Sequence, residues 1–563
     1  MNRSKLAAVL ALGLLVAVSA PVATAKPKPG VPAEAKAKTT QIQILGLNDF
    51  HGNLEHPSGS SGRIGTTNAG GVDFLATHVR QLRATNPNTL FVSAGDLIGA
   101  TPLISAVFHD EPTIEAFNLM GLNYNGVGNH EFDEGVDELL RMQHGGCHPV
   151  DGCFGGDGFD GAEFAMLAAN VKYKDTGETI FPPYAVHSFP GVDIAVVGMT
   201  LEDTPSIVSA AGIASVDFFD EADSVNALVP VLKAQGIETI IVLLHEGGRV
   251  TDPLNENTIN NCSNPSGPLP PIVERMDDEI DVVITGHTNW AVNCLIDGKI
   301  VTGAAAFGRL ITDIDLVVSR ATKDVLSATV DNKIVTHTVP RAGDLTELVD
   351  RYRTLSAPLA NRVIGKITAD ITRTANAAGE SSLGDRIADA QNFDAQQAGT
   401  GSQIAFMNAG GIRTDLIFNQ ISGSEAPGEV TYGEAFAVQP FGNSLVTMTL
   451  TGAQIKALLE RQFTGGIGIL QISDGFTYTY SASADANAKV SNMVLNGTAI
   501  DLAASYRVTV NSFLADGGDN YGVLRDGTNR VGGNVDTDAF ENYLQANPTG
   551  VTPGPQNRIT RVP

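Results

Sequence analysis

Apolar runs of strand length recur through the first part of the chain, at residues 42–47, 89–94, 194–199, 239–244 and 281–285. Segments of helical character lie between several of them, such as 71–83 and 222–235, so the pattern predicts a mixed α/β domain. A connecting helix is predicted over 344–356, where Leu345, Leu348, Val349, Tyr352 and Leu355 recur at helical spacing. Asp344 and Glu347 have the spacing of a capping box, and Pro358 should end or kink the helix. Beyond residue 366 the pattern changes to helices near 384–397 and 451–462 and strands near 444–449 and 506–510, a second α/β unit. The expected division is a first domain at 41–338, a linker helix at 339–365 and a second domain at 366–563. There is no internal repeat.

The amino terminus adds a destination. Arg3 and Lys5 precede an apolar run from 6 to 20 and a small-residue exit at Ala23-Thr24-Ala25, the pattern of a secretory signal peptide cut after Ala25. The run is short for a membrane anchor, and no stable membrane insertion is expected. Residues 26–40, rich in Pro, Ala and Lys, read as a disordered linker with order beginning at Gln41. The chain should be secreted, extracellular or in the cell envelope. Four cysteines suit export, and the pairing expected is Cys147 with Cys153 and Cys262 with Cys294. The net charge of -26 argues against a nucleic-acid polymer as partner, because phosphate backbones are held by Lys and Arg surfaces. The same charge repels small phosphates, so a phosphate site here needs local positive charge from metals or a few arginines.

Residues of metal-ligand type fall where the strands end. The run at 42–47 leads into Asn48-Asp49-Phe50-His51, that at 89–94 into Gly95-Asp96, that at 239–244 into His245, and that at 281–285 into Gly286-His287-Thr288-Asn289. Ligands of α/β sheets bind outside the carboxyl ends of strands. One such residue reads as a capped turn; four strands ending this way read as a site. A fifth piece is Gly128-Asn129-His130-Glu131-Phe132-Asp133. In this order the blocks resemble those of the calcineurin-like metallophosphoesterase superfamily over about residues 41–310. The resemblance implies a four-layer αββα sandwich and two divalent ions, zinc, manganese, cobalt or iron. It places Asp49, His51 and Asn289 on one metal, Asn129, His245 and His287 on the other, and Asp96 between them. Such a mixture of imidazole and carboxylate suits these ions, and paired cations acidify water and clamp phosphoryl oxygens. His130 and Asp133 would be the catalytic dyad, the imidazole protonating the leaving oxygen and the carboxylate orienting it. His56, His78, His109, His144, His148 and His187 match no block and read as surface or core histidines, and the acidic, Gly-rich stretch 151–161 reads as a solvated loop.

The second unit carries Asn408-Ala409-Gly410-Gly411-Ile412-Arg413, Gln439-Pro440-Phe441-Gly442-Asn443 and, at 511–519, Asn-Ser-Phe-Leu-Ala-Asp-Gly-Gly-Asp. These blocks are similar to those of the 5'-nucleotidase C-terminal domain, and with the first set they extend the resemblance over about 41–560. The implied substrate residues are Arg373, Asn408, Arg413, Phe441, Asn443, Phe513 and Asp519. A guanidinium forks onto phosphate, Phe441 and Phe513 would sandwich a base, Asn443 would meet the base edge, and Asp519 would accept from ribose hydroxyls. The implied reaction is in-line attack of metal-activated water on a nucleoside phosphate by a monomer whose hinge helix lets the domains open and close. Alternatives are a 2',3'-cyclic-nucleotide phosphodiesterase, a UDP-sugar pyrophosphatase, a sulfur-ester hydrolase that would leave the aromatic pair unexplained, and a non-catalytic nucleotide-binding surface protein.

Overall fold

The computed structural model describes residues 38–563 except 58, 155–157, 209–211 and 465–467. The expected signal peptide and most of the expected linker lie outside the described residues. The first strand reaches further than the hydrophobic pattern indicates: Thr39–Leu47 already pairs at Thr39 with Ser319.

Two six-stranded sheets form the first domain. One runs in the order Val325–Ile334, Leu310–Ser319, Thr39–Leu47, Thr89–Ser93, Tyr124–Gly126, Ala165–Leu167. The other runs Ala291–Ile296, Lys299–Ala304, Ile280–Thr285, Thr239–Leu244, Val192–Met199, Tyr184–Phe189. Alternation along each strand builds the layers. Ile42, Ile44, Leu90 and Val92 of the first sheet meet Ile241, Leu243, Val282 and Ile284 of the second in one buried cluster. Leu45, Leu47 and Phe91 face the helices containing Val72, Leu75, Ile114 and Phe117. Val242 and Leu244 face Ala222, Val225 and Val229 on the opposite side. With both faces covered, the strands read as continuous apolar runs. The result is the expected αββα sandwich.

The second domain holds a five-stranded sheet in the order Gln471–Ile472, Ile404–Met407, Ser505–Asn511, Ser444–Thr451, Thr528–Val535. A four-stranded sheet, Thr498–Ala499, Val490–Leu495, Phe476–Ser481, Ile559–Val562, packs with it around Phe406, Met448, Leu458 and Phe476. Helix Ser382–Gln397 starts on a Ser381 cap, whose side chain accepts from the Gly384 N–H.

Helix Gly343–Ala360 joins the two and runs through Pro358. Leu345, Leu348, Val349 and Tyr352 bury into the first domain, where the Tyr352 hydroxyl donates to Glu115 at 3.0 Å. Three details differ from expectation. Leu355 is 47% exposed, so the apolar stripe stops a turn early. Ala342, with no side-chain bond, takes the cap position, and Asp344 lies in the first turn paired with Arg80. Pro358 sits in the last turn and does not end the helix there. The far side of this helix meets helix Tyr432–Val438 of the second domain. Both expected disulfides, Cys147–Cys153 and Cys262–Cys294, are present.

Candidate active site

Strands Thr39–Leu47 and Thr89–Ser93 are parallel neighbours, as are Thr239–Leu244 and Ile280–Thr285. Their carboxyl ends therefore open on one edge. The loops continue the ladders past the strands: the Asp49 N–H donates to the Gly95 carbonyl at 2.9 Å and the His51 N–H to the Asp96 carbonyl at 3.0 Å. Asp49, His51, Asp96, His287 and Asn289 all take left-handed backbone conformations, with φ between 47° and 67°. Non-glycine residues held there cost on the order of 1–3 kcal/mol each and cluster at functional sites. Gly95 has no such freedom to carry a side chain: a Cβ would lie 2.6 Å from the ring of His245.

These turns bring together the residues that the sequence singles out. His245 Nε2 lies 3.1 Å from Asp96 Oδ2 and 3.1 Å from Asn129 Oδ1, and His287 Nδ1 lies 3.0 Å from the same Asn129 oxygen. His51 Nε2 lies 3.7 Å from Asp96 Oδ2 and 3.9 Å from Asp49 Oδ1. The outer nitrogens of two rings are fixed by backbone, His51 Nδ1 by the Gly99 carbonyl at 2.8 Å and His245 Nδ1 by the Ala94 carbonyl at 2.7 Å. Each ring is thereby turned with Nε2 inward. Two buried acceptors here, Asp49 Oδ1 and Asn289 Oδ1, have no hydrogen-bond partner. Orphaned acceptors beside inward-facing imidazoles are what a divalent cation would satisfy, so the donor set fits the implied metals.

Burial and charge set the protonation of these groups in opposite directions. Burial drives His51 and His287 down to about 3, leaving them in the neutral form that ligates. Burial also pushes Asp49 up to about 7. Burial works against charge on His245 too, yet the Asp96 carboxylate outweighs it and lifts the imidazole to about 10. A proton thus sits where a cation would compete for the same carboxylate.

His130 Nδ1 lies 2.8 Å from Asp133 Oδ2. Burial opposes its protonation, but the Asp133 and Asp96 carboxylates prevail and raise its pKa. The second domain reaches this point directly. The Phe441 ring lies nearly parallel to that of His130, with centroids 5.9 Å apart. The Arg413 guanidinium stands 5.7 Å from the Phe441 ring centre. Burial lowers the Arg413 pKa, while the charges of Asp96, Asp133 and Asp49 oppose that shift.

The remaining substrate candidates are spread out. Arg373 donates to the Arg413 carbonyl at 2.6 Å and its N–H to Asp415 at 2.8 Å, which places it behind Arg413. Asn408 donates to Asp519 at 2.9 Å and accepts from Asn511 at 3.1 Å, so it orients the carboxylate. Asn443 Oδ1 accepts from Ser512 Oγ at 3.1 Å and from the Phe513 N–H at 3.3 Å. That oxygen ties the two aromatic turns together and is not free for a base edge. The Phe513 ring lies against Gly518, whereas the Phe441 ring meets that of His130. A cleft of about 550 Å³, lined by Phe307, Arg353, Arg413, Asp415 and Pro440, opens between the domains.

Two supporting residues sit in the quoted blocks without an assigned role. The buried Glu131 carboxylate accepts from the N–H groups of Asp96 and Leu97, both at 2.9 Å, and of Gly128 at 2.7 Å, joining two ligand loops. Asn48 donates to Asp49 Oδ2 at 2.5 Å and accepts from the Ala304 N–H at 2.7 Å. Their signal was a polar residue inside an otherwise explained motif.

Comparison with known proteins agrees with this geometry. Residues 42–290 match calcineurin-like phosphoesterase, and residues 363–526 match the 5'-nucleotidase C-terminal domain. The cell wall protein Lmo0130 of Listeria monocytogenes is 31% identical over 95% of this chain and 70% of its own length. The chain belongs to the 5'-nucleotidase family of calcineurin-like phosphoesterases. Endonuclease YhcR of Bacillus subtilis is also 31% identical over 90% of this chain, which spans only 40% of that relative. Among solved structures, a 5'-nucleotidase precursor from Thermus thermophilus superposes with a TM-score of 0.76 and 25% identity. That match covers 93% of this chain and 99% of the other.

Proposed function

We propose that this family member is a secreted, metal-dependent 5'-nucleotidase that hydrolyses nucleoside phosphates to nucleoside and inorganic phosphate. The observation that carries the reading is the meeting of Arg413 and Phe441 of one domain with His130 and the ligand cluster of the other. A guanidinium facing Asp49, Asp96 and Asp133 makes little sense as packing and good sense as half of a phosphate site.

Asp49, His51 and Asn289 would hold one cation, Asn129, His245 and His287 the other, with Asp96 shared. Two such ions supply an acidified water and charge neutralisation for the phosphoryl oxygens. The chain's own groups do the rest. Arg413 forks onto the phosphate and Arg373 holds the Arg413 backbone. Asp133 keeps His130 Nδ1 engaged, so the proton handed to the leaving 5'-oxygen comes from Nε2. Asp519, oriented by Asn408, accepts from the ribose. Phe513 and Phe441 border the nucleoside, with Phe441 also shielding His130 from water. Residues 41–338 act as the metal domain and 366–563 as the substrate domain, in one monomeric chain. Export is supported by the leader pattern at 1–25 and by the two disulfides.

Phosphate release from a panel of nucleoside mono-, di- and triphosphates, with and without added zinc, manganese or cobalt, tests this. Silence on every nucleoside monophosphate under all metals would overturn it. The endonuclease name of one relative favours a diesterase as second reading, and cyclic nucleotides, UDP-glucose and single-stranded DNA in the same panel separate the two.

A further inference from the structure

A buried carboxylate that belongs neither to the ligand set nor to the dyad reaches the site through a single glycine. Asp110 stands at the N-terminal cap of helix Glu111–Met120, where an aspartate ordinarily accepts from the free N–H groups of its helix. It makes no such bond. Its backbone is left-handed, at φ 63°, and its side chain, 6% exposed, turns the other way. There Oδ2 accepts from the N–H of Gly99, 11 residues earlier, at 3.0 Å. The Ser105 and Thr101 hydroxyls stand beside the same carboxylate.

Gly99 is where that contact matters. Its carbonyl is the acceptor that turns the His51 ring, 2.8 Å from Nδ1. Its Cα lies so close to the dyad that a Cβ would stand 2.8 Å from Asp133 Oδ2. At φ 78° it has the left-handed conformation that glycine tolerates, and it has no side chain to hold it there. The hold comes from its partners, Asp110 on the N–H and His51 on the carbonyl. Asp110 is the anchored one of the two. Its N–H donates to the Ser105 carbonyl at 3.1 Å, and its carbonyl accepts from the Thr113 N–H at 3.0 Å. The helix behind it is rooted by Phe117, whose ring meets that of Phe50, between Asp49 and His51, with centroids 4.9 Å apart. On the other side Tyr352 of the hinge helix packs on Phe108, also with centroids 4.9 Å apart.

We propose that Asp110 is a positioning residue for the metal assigned to Asp49, His51 and Asn289. It forgoes its helix cap to fix Gly99, so that the Gly99 carbonyl presents His51 with Nε2 toward the ion. The inference rests on the ligand assignment made above and not on the choice of substrate. Partners that orient a ligating histidine are worth roughly 10- to 100-fold in metal affinity. The competing account is stability alone, with Asp110 closing the corner at 107–110. That role would loosen both metal positions alike. Helix Glu111–Met120 packs through Phe117 on Phe50 and Phe91, beneath the strands that lead to Asp49 and to the shared Asp96. The positioning role is selective, because the His245 ring of the other ion is held by the Ala94 carbonyl instead.

The test is cobalt titration of the metal-free full chain against a competing chelator, read by visible absorption. Wild type should bind two equivalents. Asp110→Ala should hold one of them roughly 10- to 100-fold more weakly and the other as wild type does. Asp110→Asn keeps an amide oxygen for the Gly99 N–H, with its NH2 toward the Ser105 and Thr101 hydroxyls, and should restore the weakened equivalent. Asp110→Ser can cap the helix but falls one bond short of Gly99, so it should lose the same equivalent without melting below Asp110→Ala. Two undiminished equivalents in a folded Asp110→Ala overturn the proposal. Equal weakening of both equivalents, or a loss in Asp110→Asn as large as in Asp110→Ala, also overturns it. Should Asp110→Ala not fold by circular dichroism, Asp110→Ser decides by the same criteria. A wild type that binds fewer than two equivalents overturns the ligand assignment and this inference with it. Failure on every nucleotide with two equivalents bound overturns the substrate reading alone.

Discussion

Replacing Arg413 by Ala examines the meeting of the two domains most directly. Its guanidinium faces Asp96, Asp133 and Asp49 from the other domain, and its backbone is held by Arg373. A hydrogen bond between charged partners contributes about 1.5–3 kcal/mol. At 1.36 kcal/mol per factor of ten, kcat/KM should fall roughly 10- to 150-fold. Arg413→Lys keeps the charge but not the planar fork, and should fall between the two. The loss should be the same for a nucleoside monophosphate and for ribose 5-phosphate, since both present one phosphate to the same fork. Inhibition by inorganic phosphate should weaken in parallel, while metal content stays at the wild-type value because Arg413 ligates nothing. A variant within about twofold of wild type on both substrates would refute the reasoning. A loss confined to the nucleotide would move Arg413 from the phosphate to the nucleoside.

Asp96→Asn should lose metal and nearly all turnover, because a neutral amide cannot offset two dications; metal analysis beside a rate assay checks it. His130→Ala should lower kcat by roughly 10²–10⁴-fold with metal retained, and parallel loss of metal would instead make His130 a ligand. Phe513→Ala should weaken nucleoside monophosphates and spare ribose 5-phosphate, by the about 1–3 kcal/mol of one stacked base, whereas Phe441→Ala should lower both because its ring lies on His130. His109 is raised to about 9 from 6.5, chiefly by its hydrogen bond to Glu134. Its contribution to stability is complete below pH 6.5 and is lost as pH climbs through about 9. Melting curves across that window should show the decline in wild type and a flatter profile in Glu134→Gln.

What could be read from the chain and what could not follows from where each partner comes from. Asp49, Asp96, His245 and His287 were legible because parallel strands align their carboxyl ends, so position along the chain already implies position in space. Asn443 and Arg373 were not, because their hydrogen bonds go to Phe513 and Arg413, 70 and 40 residues away. A motif shows that an amide is present but not which of its atoms is already engaged. Asp344 likewise has a partner the helix pattern does not show, since Arg80, with which it pairs, lies 264 residues away. The hydrogen-bonded group of His109, Glu134, His148 and Asp151 has no linear signature at all: its members converge only when the Cys147–Cys153 loop folds back on the corner before helix Glu111–Met120.

The aromatic pair shows how this changes a functional argument. From the motifs alone, Phe441 and Phe513 are equivalent faces of one clamp. In the fold they have different neighbours, Gly518 for Phe513 and the His130 ring for Phe441. Arg413 and Phe441 are contributed by one domain and His130, Asp133 and Asp96 by the other, and pocket-lining residues from both domains share the 90 Å³ cavity. If Arg413 and His130 have the proposed roles, any motion that parts the domains would remove the phosphate fork and uncover the dyad in the same step. Substrate release and loss of the catalytic arrangement would then be one event, and a cross-link between the domains at this contact should block turnover and leave metal content unchanged.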